Sequence, residues 1–409
     1  MQSKNTYLFS IILLLLVFSC KSRKAEEIVL ETQKEISTKK TDSVNAEQKT
    51  ILPGVFQTEM YFPLLRHRKV AVVGNQTSVI EKHHLIDSLL VAGIDVEKVF
   101  APEHGFRGHA SAGEHVKSSI DIKTGLPIIS LYGKHKKPTP EDLKNIDIIV
   151  FDIQDVGARF YTYLSTLHYV MEAAAEQHIP IIVLDRPNPN ADYIDGPVME
   201  NQYKSFVGLH PVPIVYAMTI GEYAKMLNGE GWLKNAVRAD LKIIPIKNYK
   251  HGSVYHLPVK PSPNLPNDQA VGLYPSLCLF EGTDISVGRG TDLQFQIIGS
   301  PDLPESDFSF IPMPNIGSKW PMHQGKVCYG KDLSKIKIPK KINLKWMIWA
   351  YQHHKNKSIF FNKFLEKLIG NSFFRQQIKA GKTAEEIRQT WREGIEDFKK
   401  IRTKYLIYE

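Results

Sequence analysis

Residues 146–190 read IDIIVFDIQDVGARFYTYLSTLHYVMEAAAEQHIPIIVLDRPNPN, and this stretch sets the architecture. A β-branched apolar run, 146–151, stops at Asp152. A helical stretch, 161–178, carries Leu164, Leu167, Val170, Met171 and Ala174 at helical spacing, and a second apolar run, 179–184, follows it. Strand, crossover helix and strand within 45 residues predict a parallel βαβ unit. Apolar character along the whole of each run predicts a sheet covered by helices on both faces. Residues 70–73, 96–100 and 127–131 are further strands of the same kind, and 84–91 is a helix between the first two. Thr139-Pro140-Glu141-Asp142 has the N-cap, proline and acidic first turn of another helix.

The chemically unusual residues fall at the ends of these strands. GNQTS (74–78) follows the first, PEHGFRG (102–108) the second, YGK (132–134) the third, DIQDVGARFYTY (152–163) the fourth and DRPNPN (185–190) the fifth. Open α/β sheets bind ligands outside the carboxyl ends of their strands, so these segments converge on one crevice. Past Pro197 the pattern loosens. Residues 219–227 predict a helix and 241–246 a strand, and PSPNLPN (261–267) and EGTDISVGRGT (281–291) then gather turn residues around Glu281. Short strands and helices follow, with Thr383-Ala384-Glu385-Glu386 as a capping box for the last long helix. The predicted fold is thus α/β: a Rossmann-like parallel-sheet domain over 51–290, then a smaller α+β domain over 291–409 that closes the cleft. The boundary falls between Ser286 and Pro304.

The N-terminus is of a different kind. Lys4 and an apolar run, 8–18, precede Ser19-Cys20, and the run is too short to span a bilayer. Residues 1–20 read as an export signal in which LVFS before Cys20 resembles a bacterial lipobox, and 21–50, rich in Lys, Glu, Ser, Thr and Gln, as a tether. These features predict an envelope lipoprotein that meets the membrane through its lipid anchor only. Cys278 and Cys328, the remaining cysteines, are too few for a disulfide scaffold and lack a CxxC spacing for zinc. Of the net charge of +9, the last 69 residues hold 15 Lys+Arg against 7 Asp+Glu. Such a surface suits anionic envelope glycans or lipid head groups, and equally a solvated helix face; a nucleic-acid partner is not expected.

In PEHG, Pro102 fixes the chain before Glu103 and Gly105 lets it turn afterwards, displaying the acid at a strand end. A lone loop glutamate is ordinarily a solvated surface residue, but this one lies in the predicted crevice, with Glu114 and Glu281 as candidate second carboxylates. Two carboxyl groups are what glycoside hydrolysis commonly needs. A competing metal site would draw on Glu103, His104, His109 and His115 with Asp152 and Asp155, although no HExxH spacing is present. No GxGxxG follows the first strand and no GxSxG elbow occurs, so neither a nucleotide cofactor nor a serine hydrolase is expected. The candidate binding residues are Asn75, His104, Arg107, Gln154, Asp155, Arg159, Tyr161, Tyr163, Asp185, Arg186, Asn188, Asn264 and Arg289. They offer the amides, charges and aromatic faces of a sugar site.

Taken in order from Lys69 to Tyr408, GNQTS, PEHGFRG, LYGK, KPTPEDL, FDIQDVGARFYTY, LDRPNPN, DGPV, PSPNLP and EGTDISVGRGT resemble the bacterial family of exo-acting β-N-acetylmuramidases. The resemblance implies a cofactor-free glycoside hydrolase that removes β-linked N-acetylmuramic acid from the non-reducing end of peptidoglycan-derived chains or muropeptides. It implies a cleft between the two domains, with Glu103 as the catalytic carboxyl. Its partner would be Glu114 or Glu281, with Tyr161 and Asp155 as alternatives. Arg159, Arg186 or Arg289 would pair with the lactyl carboxylate of muramic acid. Two positions depart from the pattern: Val287 stands where an acidic residue is expected, and NPNAD follows RP where glycine is commoner. A metal-dependent hydrolase of substituted sugars and a non-catalytic muropeptide-binding lipoprotein are the alternative readings.

Overall fold

In a computed structural model, which describes residues 50–107 and 118–409, the Ile51–Glu409 unit is organised by a seven-stranded sheet. Its strands are β1 (Val70–Gly74), β2 (Val96–Ala101), β3 (Ser119–Ile120), β4 (Pro127–Ser130), β5 (Ile148–Asp152), β6 (Ile181–Leu184) and β7 (Leu241–Ile244). They lie in the order β3-β4-β2-β1-β5-β6-β7. Only the β3–β4 pairing is antiparallel. With the short edge strand β3 set aside, the parallel strands show the doubly wound order, whose direction reverses between β1 and β5.

The expected coverage of both faces is found. Ala71, Val73, Phe100, Ile149, Phe151, Ile181 and Val183 belong to one core cluster, whereas the alternating Val70, Val72, Val99, Ile148, Val150 and Ile182 belong to another. Around the sheet are α1 (Thr58–Leu65), α2 (Leu85–Val91), α3 (Tyr163–Glu176) and α4 (Ile220–Gly229). Helix α4 begins with a complete capping box between Thr219 and Glu222. Then come α5 (Asp268–Leu277) and a 3₁₀ turn, Cys278–Gly282, carrying Glu281. The smaller C-terminal part holds a three-stranded antiparallel sheet of β8 (Ile297–Ser300), β9 (Ser309–Phe310) and β10 (Cys328–Asp332). It ends in α6 (Leu344–His353), α7 (Leu365–Ile369), α8 (Phe373–Lys379), α9 (Ala384–Gln389) and α10 (Arg392–Thr403).

Two expected elements differ. Residues 140–145 form turns instead of a helix: Thr139 and Asp142 bond one another reciprocally, and Asn145 at φ 59° ends the run. The capping box at Thr383 opens the six-residue α9, not the last long helix. The Thr390 hydroxyl turns back to the Ile387 carbonyl, 2.7 Å away, and α10 starts afresh at Arg392. Cys278 and Cys328 are buried free thiols. The signal, the tether up to residue 49, Cys20 and Glu114 lie outside the described residues.

Candidate active site

Strand β2 delivers Glu103 through a tight turn. Gly105 N–H donates to the Pro102 carbonyl at 3.0 Å, with Glu103 and His104 as the central pair and His104 at φ 71°. A turn with positive φ at its third position ordinarily takes glycine or asparagine there. Histidine in the left-handed region is strained, and such strain clusters at functional sites. The His104 ring is buried, with Nε2 3.2 Å from Ser262 Oγ.

The Glu103 carboxyl meets neutral hydroxyls. Thr162 Oγ1 donates to Oε2 at 2.7 Å, and the Tyr132 hydroxyl also hydrogen-bonds the group. Burial, and then the nearby Glu103 charge, push the Tyr132 phenol well above its ordinary value. Beneath the turn, Asn75 Nδ2 donates to the Tyr163 hydroxyl at 2.9 Å, and Thr77 Oγ1 donates to Asn75 Oδ1 at 2.6 Å. Tyr161 donates to the Pro261 carbonyl at 2.8 Å and packs edge-on against Tyr163 at 4.7 Å.

Glu103, His104, Tyr161, Tyr163, Asn264, Glu281 and Arg289 line a single cleft of about 630 Å³. Arg289 Nε donates to Glu281 at 2.5 Å, its guanidinium lies 4.9 Å from the Phe295 ring, and its buried Nη1 meets no partner among the described residues. Glu281 also receives a weak contact from the Cys278 thiol at 3.8 Å. The two carboxyl groups therefore sit in different surroundings, one among hydroxyls and one beside an arginine. Such an asymmetry suits a pair that divides acid and base work.

Other residues expected to bind a ligand lie below or beside the cleft. Arg159 is fully buried and donates to four backbone carbonyls, of Pro197, Val212, Leu368 and Ile369, at 2.6–2.9 Å. Burial pulls its pKa down to about 9, which still leaves it charged at neutral pH. Arg186 grips Asp152 with two parallel bonds of 2.6 and 2.9 Å, so an aspartate that the metal reading recruits is already engaged by a cation. Asp155, pushed up to about 6 by burial, accepts from the Gly157 amide and the Tyr216 hydroxyl. Asp185, pushed up to about 7 by burial, accepts from Thr219, Gly221 and Tyr408. Gln154 and Asn188 bond backbone carbonyls, and Arg107 pairs with Asp121 at 2.8 Å. A group of Asp284, Asp302 and His354, whose ligand atoms fall within 4.8 Å of one another, is not part of the cleft lining.

Sequence reasoning missed Tyr132, Lys136, Thr162, Phe206, Ser262 and Trp320 in the cleft lining. Tyr132 stands in the strand-end segment YGK and Thr162 between the two tyrosines, so position alone marked both; Lys136 and Trp320 carried no signal.

Comparison with known proteins covers most of the chain. The family model described as exo-beta-N-acetylmuramidase NamZ, N-terminal, matches residues 70–269, and its C-terminal counterpart matches 272–408. A peptidoglycan beta-N-acetylmuramidase NamZ of Bacillus subtilis (strain 168) is 39% identical over 394 residues, 91% of this chain and 93% of that protein. Two crystal structures of DUF1343 family proteins from Bacteroides fragilis NCTC 9343 superpose with TM-scores of 0.83 and 0.75, at 44% and 29% identity. Each match covers 88% of this chain and 99% of the other.

Proposed function

This chain belongs to the exo-β-N-acetylmuramidase family, exo-acting glycoside hydrolases of peptidoglycan, and from that premise we propose that Glu103 is its catalytic acid. The observation that carries the reading is the presentation of the Glu103 carboxyl in the cleft on a strained turn, between the Thr162 and Tyr132 hydroxyls. Glu103 hands its proton to the glycosidic oxygen as the bond to the terminal muramic acid breaks. The two hydroxyls then donate to the carboxylate left behind. Glu281, paired with Arg289 in the same cleft, is the second carboxyl, facing the positive charge that develops on the sugar.

The substrate is the β-linked, non-reducing-end N-acetylmuramic acid of peptidoglycan fragments. Its lactyl carboxylate calls for a cation, and the cleft lining offers Arg289 and Lys136. Arg289 Nη1 is the unengaged end of a guanidinium already fixed through Nε. Lys136 Nζ lies 4.9 Å from the Phe206 ring. Purified protein incubated with the β-linked muramic acid–glucosamine disaccharide should release free N-acetylmuramic acid, detected by mass spectrometry. An intact disaccharide after prolonged incubation would contradict the reading.

The LVFS sequence before Cys20 supports acylation of that cysteine and an envelope location. Among the described residues no helix is long and apolar enough to cross a membrane. Palmitate labelling in a bacterial host should be lost in Cys20→Ser; label that persisted would overturn the assignment.

A further inference from the structure

Of the five tryptophans, Trp391 is buried and Trp232, Trp346 and Trp349 pack against the main core. Trp320 is 86% exposed, yet it lines the catalytic cleft. Leaving an indole in water forgoes the burial that ordinarily fixes such a side chain, and exposed apolar surface of this kind marks interaction sites.

The backbone around Trp320 is held at several points. Residues 311–322 contain Pro312, Pro314 and Pro321, which restrict the chain. Asn315 and Ser318 exchange backbone hydrogen bonds of 3.0 and 3.1 Å, and Asn315 Nδ2 donates to the Thr291 carbonyl. Asn264 Nδ2 donates to the Gly317 carbonyl at 2.7 Å, which ties the turn to a cleft-lining residue of the preceding segment. Met313 N–H bonds the Gly290 carbonyl at 2.8 Å. Pro321 packs so closely on Gly290 that a Cβ there would come within 2.7 Å of its ring. The indole therefore stands on a segment fastened beside Arg289. Exposed Met313 and Ile316, at 54% and 77%, continue the apolar surface along that segment.

We propose that Trp320 is a platform for the leaving-group side of the substrate, stacking on the apolar face of a sugar beyond the scissile bond. This rests on the exo-acting reading above. An exo-acting hydrolase encloses the terminal sugar, and the buried Tyr161, Tyr163 and His104 supply the floor for it. The remainder of the chain must pass out through the solvent-exposed part of the lining, where Trp320 stands. A preorganised platform adds affinity because little is lost in ordering it. Trp320 thus tunes preference for polymeric substrates and takes no part in bond breaking.

The test compares two substrates of N-acetylmuramic acid: its β-fluoride, whose leaving group is a single atom, and a tetrasaccharide with muramic acid at its non-reducing end. In Trp320→Ala, kcat/KM on the tetrasaccharide should fall at least tenfold further than on the fluoride, chiefly through KM. Trp320→Phe should recover most of the loss. Equal losses on both substrates would mark a structural role and overturn the proposal, as would no loss on either. Wild-type protein that released muramic acid from neither substrate would overturn the underlying hydrolase reading, and the platform with it.

Discussion

The floor of the cleft and its rim solve different problems. Below Glu103, polar side chains are buried and engaged: Asn75 with Tyr163, Arg186 with Asp152, and Arg159 with four carbonyls. Along 311–322, apolar side chains face solvent while the backbone beneath them is fastened. Buried polar networks specify one arrangement because each unmade bond is costly. A floor built this way fixes the strand-end turn that carries the acid. The rim gains its order from prolines and backbone bonds while Met313, Ile316 and Trp320 stay exposed, which suits a surface that must receive a ligand.

The largest loss of stability is expected at Arg159. Replacing it by Met strands carbonyls from segments 38 to 210 residues away, and should cost on the order of 3–5 kcal/mol of stability. A urea midpoint equal to wild type would mean the floor network is not what orders the site. A smaller and more local effect is expected at Lys136. Lys136→Met should lower the preference for muramic acid over N-acetylglucosamine aryl glycosides by about tenfold, the value of one charge-assisted contact. An unchanged preference would leave Arg289 as the selecting cation and sharpen the division between floor and lining.

The sheet was legible because its strands are apolar on both faces, and β1, β2, β4, β5 and β6 lie where alternating apolar runs place them. Glu103, His104, Tyr161 and Tyr163, all read from strand-end segments, line one cleft in the structure. Arg159 was misleading for a physical reason: a guanidinium in a polar, glycine-marked motif has the same one-dimensional signature whether it binds substrate or backbone. Its carbonyl partners are set by tertiary folding alone. Trp320 was invisible because SKWPM has no periodicity, and its value lies in an exposure that sequence does not encode. The turn at 140–145 shows local capping signals failing to propagate a helix before the left-handed Asn145, at φ 59°.

If Glu103 donates a proton to the leaving group, its replacement must matter more for a leaving group that needs the proton than for one that does not. Glu103→Gln should be compared with wild type on the β-linked disaccharide and on the β-fluoride of N-acetylmuramic acid, with folding checked by circular dichroism. The sugar leaving group needs the proton, and its hydrolysis should fall by about 10²–10⁴-fold. Fluoride departs with far less help, so its loss should be at least tenfold smaller. Equal losses on both substrates would assign Glu103 another role, and unchanged turnover of the disaccharide would remove it from catalysis.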